Sequence, residues 1–145
     1  MDQDNIKDYV AKLVKRYGTD DPFSLAKVLN IIVFDIPLGE LQGFYMYLKK
    51  HRTVFLNSNI EEENLRRVIL AHEIGHALLH TKTNCCFMQK NTYLNTSKIE
   101  IQANCFAAEL LIPDSLIMEN PGMTKEQIAS IAGVTKELVN FKKFT

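Results

Sequence analysis

Three histidines and a glutamate lie in one short, otherwise apolar stretch of this sequence, AHEIGHALLH at 71–80. His72 and His76 are four residues apart, so on a helix both imidazoles project from one face, one turn apart. Glu73 occupies the next angular position. Two imidazoles that can bind one metal ion, beside a carboxylate that can accept a proton from water, form the His-Glu-x-x-His pattern of zinc peptidases. The stretch therefore predicts a catalytic zinc site with Glu73 as the general base.

A catalytic zinc site uses three protein ligands and keeps one position open. One class of zinc peptidases has its third histidine six residues after the motif, and this sequence has Lys82 there. His80 continues along the same helix, about 6 Å further down the axis. That distance is too long for His80 to share one ion with both other histidines. We therefore assign His80 a supporting, capping or surface role.

Glu100 is the better third ligand, and it begins the stretch EIQANCFAAELLIP at 100–113. On a helix, Glu100 shares one face with Asn104 and with two alanines, which are small enough to let that face approach another helix closely. Asn104 can then hydrogen-bond a ligand histidine from behind. We predict one zinc ion per chain, with the ligands His72, His76 and Glu100.

The rest of the sequence predicts the elements that must hold these side chains. Apolar residues at helical spacing indicate helices over 5–17, from Asp21, from about 59 to 80, and over 97–112, the last stopped by Pro113. Short β-branched and aromatic runs indicate strands over 31–38, 43–50 and 53–58, the last two joined as a hairpin.

These elements predict an α+β fold, a small zincin-like domain. A three-stranded, antiparallel-rich sheet packs on the motif helix and on the second site helix, and a helix pair ends the chain. The polar stretch 81–97 is expected to be a long loop. With 145 residues and no linker or repeat, we predict one domain over 1–145, with a C-terminal helical subregion over about 123–145.

The C-terminal stretch 124–144 has the helix, glycine, helix pattern that a helix-turn-helix can also show. It begins with a capping-box pattern, Thr124 followed by Gln127. Its second helix and the residues after it offer few cations for DNA: Lys136, Lys142 and Lys143. Lys+Arg and Asp+Glu balance at 17 each, so we expect this helix pair to pack on the core or contact a partner, and we expect no direct nucleic-acid binding.

The composition favours a cytoplasmic protein with no membrane segment. The N-terminal stretch is mixed in charge and has no apolar segment of the kind found in signal peptides, and the apolar runs are too short to span a bilayer. Of the three cysteines, Cys85 and Cys86 are adjacent and Cys105 stands alone. Neither a disulfide framework nor a Cys-x-x-Cys metal motif is present, which indicates a reducing compartment.

HEIGHALLH followed by EIQANCFAAELLIP resembles the ImmA/IrrE family of metallopeptidases, encoded by bacteria, their phages and mobile elements. The resemblance covers most of the chain, and the order of the elements is the family's. The second motif is specific to the family: Glu, Ala three residues later, Asn, Phe-Ala-Ala, an acidic residue, Leu-Leu and Pro. One departure is Gln102, where the family often has a second acidic residue. We expect Gln102 to point away from the face that carries Glu100.

The resemblance implies that His72, His76 and Glu100 bind zinc and that Glu73 is the catalytic base. It also implies the partner, a helix-turn-helix transcriptional repressor whose cleavage releases genes of a prophage, an integrative element or a stress response. Residues that could stabilise the oxyanion of peptide hydrolysis are only weakly indicated by the sequence: Tyr93, His80, Tyr45 and Tyr47.

Two rival functions remain open at this stage. The first is a DNA-binding or protein-binding regulator without proteolytic activity, whose metal site is structural or degenerate. A structural zinc site usually has four ligands, often cysteines, and the cysteines here lack such spacing. The second is a general housekeeping peptidase, against which the small size and the absence of a secretion signal argue mildly.

Overall fold

A computed structural model describes residues 1–83, 86–88 and 97–144. The described elements follow one another in the order α1 Gln3–Tyr17, α2 Pro22–Val28, β1 Ile32–Ile36, β2 Gly43–Leu48, β3 His51–Asn57, α3 Glu63–Leu79, β4 Cys86–Met88, α4 Lys98–Leu111, α5 Asp114–Met118, α6 Lys125–Ala132 and α7 Lys136–Val139. The predicted α+β class is confirmed. After Pro113, where the second site helix was predicted to stop, the chain forms one short helix, α5.

The sheet is mixed and has four strands in the described residues, in the order β1-β3-β2-β4. The β2–β3 hairpin was predicted correctly, with Tyr45 opposite Val54. The expected three-stranded, antiparallel-rich sheet differs from the structure in two ways. β3 lies between β1 and β2, and β1 pairs with β3 in parallel. β1 and β2 therefore run in opposite directions. β4, antiparallel to β2, adds a short edge strand within the stretch expected to be a loop.

The motif helix α3 lies at the centre of the fold, packed against β2 and β3 on one side and α4 on another. Its residues are buried without interruption from Val68 to Ala77. A helix that is buried all round must meet neighbours on every face. Polar side chains within this segment are therefore removed from bulk water, and each one needs a partner or a ligand.

Close approach of α3 and α4 depends on small residues on both helices. A Cβ atom added at Gly75 would lie 3.1 Å from Cβ of Phe106 and 3.3 Å from Cα of Ala103. Ala103 is fully buried at this contact. The small-residue face expected on the second site helix therefore faces α3.

The Asn57 side chain holds the loop before β2 in place, and the first residue of β2 lies against α3. The Asn57 side chain donates to the carbonyl oxygens of Gly39 and Leu41 and accepts from the backbone N–H of Leu38. A Cβ atom at Gly43 would lie 2.9 Å from Cγ2 of Ile69 on α3. Only a residue without a side chain fits there, and this brings the β2 backbone close to Glu73.

Candidate metal centre

His72, Glu73 and His76 lie together on α3, and each is at most 1% exposed. Each can offer a ligand atom, and these atoms lie within 4.8 Å of one another. The Nε2 atoms of His72 and His76 are 3.2 Å apart. The helical spacing read from the sequence thus brings two imidazole nitrogens to one point inside the protein.

Glu100 reaches the same point from α4. Its position in the first turn follows from the N-cap residue Ser97, whose side chain accepts from the Glu100 backbone N–H. One carboxylate oxygen, Oε1, lies 3.2 Å from Nε2 of His72, and the other, Oε2, lies 2.7 Å from Nε2 of His76. The carboxylate therefore spans both imidazoles, and two nitrogen and two oxygen donors converge.

Both imidazoles are also contacted on the side away from Glu100. Oδ1 of Asn104 lies 2.7 Å from Nδ1 of His72, as the helical spacing from Glu100 to Asn104 led us to expect. Nδ1 of His80 lies 3.0 Å from Nδ1 of His76. Metal-binding histidines in proteins usually have such a partner on the second ring nitrogen. His80 therefore lies behind a candidate ligand, as a supporting residue would.

Glu73 has the least compensated polar group of the site. It is fully buried, and neither carboxylate oxygen has a hydrogen-bond partner among the residues that the structure describes. Burial, and then the charge of Glu100, raise the pKa of Glu73 well above its ordinary value. A buried carboxylate without a protein partner requires water or a ligand nearby. This observation fits a metal ion with water beside Glu73.

The protonation states of the other groups suit a metal site. Burial lowers the pKa of His76 to about 4. Burial alone would raise the pKa of Glu100, but the His72 and His76 imidazoles beside its two oxygens hold that pKa well below its usual range. At neutral pH the set therefore includes a neutral imidazole and a carboxylate, and metals bind deprotonated ligands of this kind. The donor set fits a zinc ion.

The remaining oxyanion candidates stay predictions. Tyr93 lies outside the described residues. The Tyr45 hydroxyl donates to the carbonyl oxygen of Thr81, 2.5 Å away, just beyond the end of α3. Tyr47 packs against the hydrophobic core.

Gln102 makes a contact near the site that the sequence did not predict. It is buried at 8% exposure, and its Oε1 atom lies 2.6 Å from Nε2 of His80. The available signal was a glutamine within a run of small and apolar residues on α4. Gln102 therefore contacts the residue behind His76.

The fold and the site together are those of a small zincin-like metallopeptidase. The profile of the family described as Peptidase_M78, IrrE N-terminal-like domain, matches residues 26–143. The chain belongs to this family, the ImmA/IrrE metallopeptidases.

Two relatives are similar over nearly the whole chain. The "Uncharacterized immunity region protein 2" of Bacillus phage phi105 is 39% identical over 140 residues, which cover 94% of this chain and 88% of that protein. The "Metallopeptidase ImmA" of Bacillus subtilis (strain 168) is 27% identical over 143 residues, covering 94% of this chain and 83% of that protein. Among the described residues, no helix has the length and apolar character to cross a membrane.

Proposed function

We propose that this protein is a zinc-dependent endopeptidase of the cytoplasm that cleaves a specific protein partner, a helix-turn-helix repressor, and thereby derepresses the genes under its control. The observation that carries the proposal is the position of the Glu73 carboxylate, which has no hydrogen-bond partner among the described residues, beside the convergent donors of His72, His76 and Glu100. A site built only to hold a metal would have no use for a buried, uncompensated carboxylate next to it.

Three side chains would hold the zinc ion: His72 and His76 from α3, and Glu100 from α4. When bound, zinc supplies Lewis acidity, which lowers the pKa of a water molecule and polarises a carbonyl group. Glu100 is the third ligand because its two oxygens contact the Nε2 atoms of both histidines. His80 contacts the opposite nitrogen of His76, so its place is behind the ligand.

Glu73 would move the proton. Its carboxylate adjoins the donor atoms but is free of protein hydrogen bonds in the described part of the chain. It can therefore accept a proton from the attacking water and deliver that proton to the leaving amine. Gly43 leaves the space next to Glu73 without a side chain, since a Cβ atom there would lie 3.8 Å from Cγ of Glu73.

The repressor substrate is inferred from the family resemblance and from the name of the phage relative, which refers to an immunity region. Charge supports a protein substrate over nucleic acid, since cations and anions balance at 17 each. An extended segment of the substrate could pair with an edge of the sheet through backbone hydrogen bonds.

The rival of a non-proteolytic regulator with a structural site is disfavoured by the donor set. Structural zinc sites are closed by four ligands. Here three side chains would serve as ligands, and the fourth side chain of the site, Glu73, has no hydrogen-bond partner among the described residues. That carboxylate is available to bind a water molecule, which catalysis needs and a structural site does not.

The test compares Glu73→Gln with Glu63→Gln, the same change at an exposed position of the same helix. Each purified variant is loaded with zinc and incubated with a helix-turn-helix repressor encoded in the same genome. Intact-mass spectrometry then detects the cleavage products. We expect the parent and Glu63→Gln to cleave the repressor and Glu73→Gln to bind zinc with at least a hundredfold lower cleavage rate, about the lower end of a general base's contribution. Equal cleavage by Glu73→Gln would refute the role of Glu73, and no cleavage by the zinc-loaded parent would refute this substrate.

A further inference from the structure

We infer that His80 and Gln102 form a hydrogen-bonded chain that fixes the tautomer of His76 and holds its Nε2 atom ready for a metal ion. The inference rests on the proposed metal site. It gives Gln102 a positioning role, although Gln102 touches none of the proposed ligands directly in the contacts described above.

The hydrogen-bonded chain consists of three contacts, which join side chains of His76, His80 and Gln102 and the backbone of Met1. Nδ1 of His76 lies 3.0 Å from Nδ1 of His80. Nε2 of His80 lies 2.6 Å from Oε1 of Gln102. Nε2 of Gln102 donates to the carbonyl oxygen of Met1, 2.7 Å away. His76 and Gln102 are buried and His80 is half-buried, so the contacts between these side chains are partly shielded from competing water.

The direction of every bond in the chain follows from its Met1 end. A carbonyl oxygen can only accept, so the NH₂ group of Gln102 must face Met1 and its Oε1 atom must face His80. Oε1 can also only accept, so His80 must carry its proton on Nε2. A neutral His80 then has a lone pair on Nδ1, and His76 must donate to it from its own Nδ1–H.

The consequence for His76 is a defined tautomer. A neutral imidazole with its proton on Nδ1 has its lone pair on Nε2. Nε2 of His76 is the atom that lies 2.7 Å from Oε2 of Glu100 and 3.2 Å from Nε2 of His72. With an ion bound where the donors converge, the lone pair would be directed at that ion, which would separate it from the Oε2 acceptor of Glu100.

The reversed arrangement would be unfavourable. If His80 carried its proton on Nδ1, its Nε2 lone pair would face the Gln102 Oε1 atom at 2.6 Å. Two acceptors at that distance repel each other, and the buried Gln102 oxygen would lose its donor. The Gln102 amide thus excludes the His80 tautomer whose Nδ1–H would face Nδ1 of His76. In that arrangement Nδ1 of His76 would accept, and a neutral His76 would carry its proton on Nε2.

The contact behind His72 lacks such a determinant. Asn104 presents Oδ1 to His72, but its Nδ2 atom has no hydrogen-bond partner within the described residues. No carbonyl group therefore fixes which way the Asn104 amide faces. Between the two histidines, only His76 has its tautomer set by a chain that ends on a backbone carbonyl.

The first test measures zinc affinity by competition with a chromophoric chelator for the parent, Gln102→Met, Gln102→Glu and Thr81→Val. Met fills the space without an acceptor, while Glu keeps an acceptor for His80, loses the donor to Met1 and adds a carboxylate charge. Thr81→Val is the control, because it removes a hydrogen bond at the same end of α3, from the Thr81 hydroxyl to the Ala77 carbonyl. We expect about tenfold weaker zinc binding for Gln102→Met, and affinities close to the parent's for the other two. Parent-like affinity in Gln102→Met, or an equal loss in Gln102→Glu or Thr81→Val, would overturn the inference.

The second test needs no substitution and so does not depend on a variant that folds. Long-range ¹H–¹⁵N correlation spectra of the zinc-loaded parent report which nitrogen of each histidine carries the proton. We expect the proton on Nε2 of His80 and on Nδ1 of His76; a proton on Nδ1 of His80 would overturn the inference. Failure of the proposed function would give a different result. A parent protein that takes up no zinc refutes both the metal site and the role of the hydrogen-bonded chain. Zinc uptake with the other His80 tautomer refutes the hydrogen-bonded chain alone.

Discussion

Asn104 and His72 are joined across the two site helices by a contact of 2.7 Å between Oδ1 and Nδ1. One turn earlier on α4, Glu100 contacts the other nitrogen of the same ring, 3.2 Å away. α4 thus supplies both a candidate ligand and the group that orients the first imidazole of α3. The distance between these two helices therefore controls the geometry of the whole site.

Replacing Asn104 with leucine should weaken zinc binding. Leucine has nearly the same shape but no acceptor, so the Nδ1–H of His72 would be buried without a partner. Loss of such a supporting contact typically costs at least about tenfold in metal affinity. Chelator competition measures the effect. The control is Asn120→Leu, because Asn120 is exposed and its side chain donates to the carbonyl oxygen of Leu116, one helical turn earlier. Unchanged affinity in Asn104→Leu would mean that the contact does not orient His72.

Replacing Glu100 with alanine should remove the metal. We expect about one zinc per parent chain by elemental mass spectrometry, and a fraction of that in Glu100→Ala, because two imidazoles alone are a poor site. The control is Glu119→Ala, which removes an exposed carboxylate after α5. If the variant keeps its zinc, another residue is the third ligand, and His80 or a cysteine would be examined next.

Much of the site could be predicted from the sequence because its geometry is local. His72, Glu73 and His76 lie within two turns of one helix, and regular backbone geometry alone brings them together. Glu100 and Asn104 share one face of a second helix for the same reason. The α+β class and the β2–β3 hairpin also follow from local periodicity, and the capping box of Thr124 and Gln127 at the start of α6 is present as predicted.

Non-local pairing limited the rest of the prediction. The parallel pairing of β1 with β3 depends on which edge of the hairpin β1 occupies, and no periodicity within β1 records that choice. The contacts of Gln102 were not predicted because one of its partners, Met1, is 101 residues away along the chain. A contact of that kind is set by how α4 docks, and the sequence around Gln102 carries no local signal for it.

Replacing Gly75 with valine should destabilise the protein and weaken zinc binding together. A Cβ atom at this position already lies 3.1 Å from Cβ of Phe106, so the branched side chain must push α3 and α4 apart. Overpacking of this kind costs about 1–3 kcal/mol, and it separates Glu100 from the two histidines. Urea unfolding and chelator competition measure the two effects. The control is Ala11→Val, at an exposed position of α1, which should leave zinc affinity unchanged. Unchanged zinc affinity in Gly75→Val as well would show that the spacing of α3 and α4 does not control metal binding.

Replacing Lys142 with methionine should destabilise the fold without touching the metal site. Nζ of Lys142 is buried between Glu109 and Asp114, at 2.7 and 2.5 Å from their carboxylate oxygens. The change leaves the buried Glu109 carboxylate with a more distant cation, Lys7 at 3.3 Å. A buried charge that has lost its nearest partner is costly. We expect a loss of about 3 kcal/mol of unfolding free energy, measured by urea unfolding.

The matched control for Lys142→Met is Lys136→Met, which breaks the exposed pair between Lys136 and Glu126. Exposed pairs contribute about 0–1 kcal/mol, so this variant should remain close to the parent in stability. Zinc affinity should be unchanged in both variants, because Glu109 lies nine residues beyond Glu100 on α4, about 13 Å along the axis. A stability loss in Lys142→Met no larger than that in Lys136→Met would show that the buried cluster does not hold the C-terminal segment to α4.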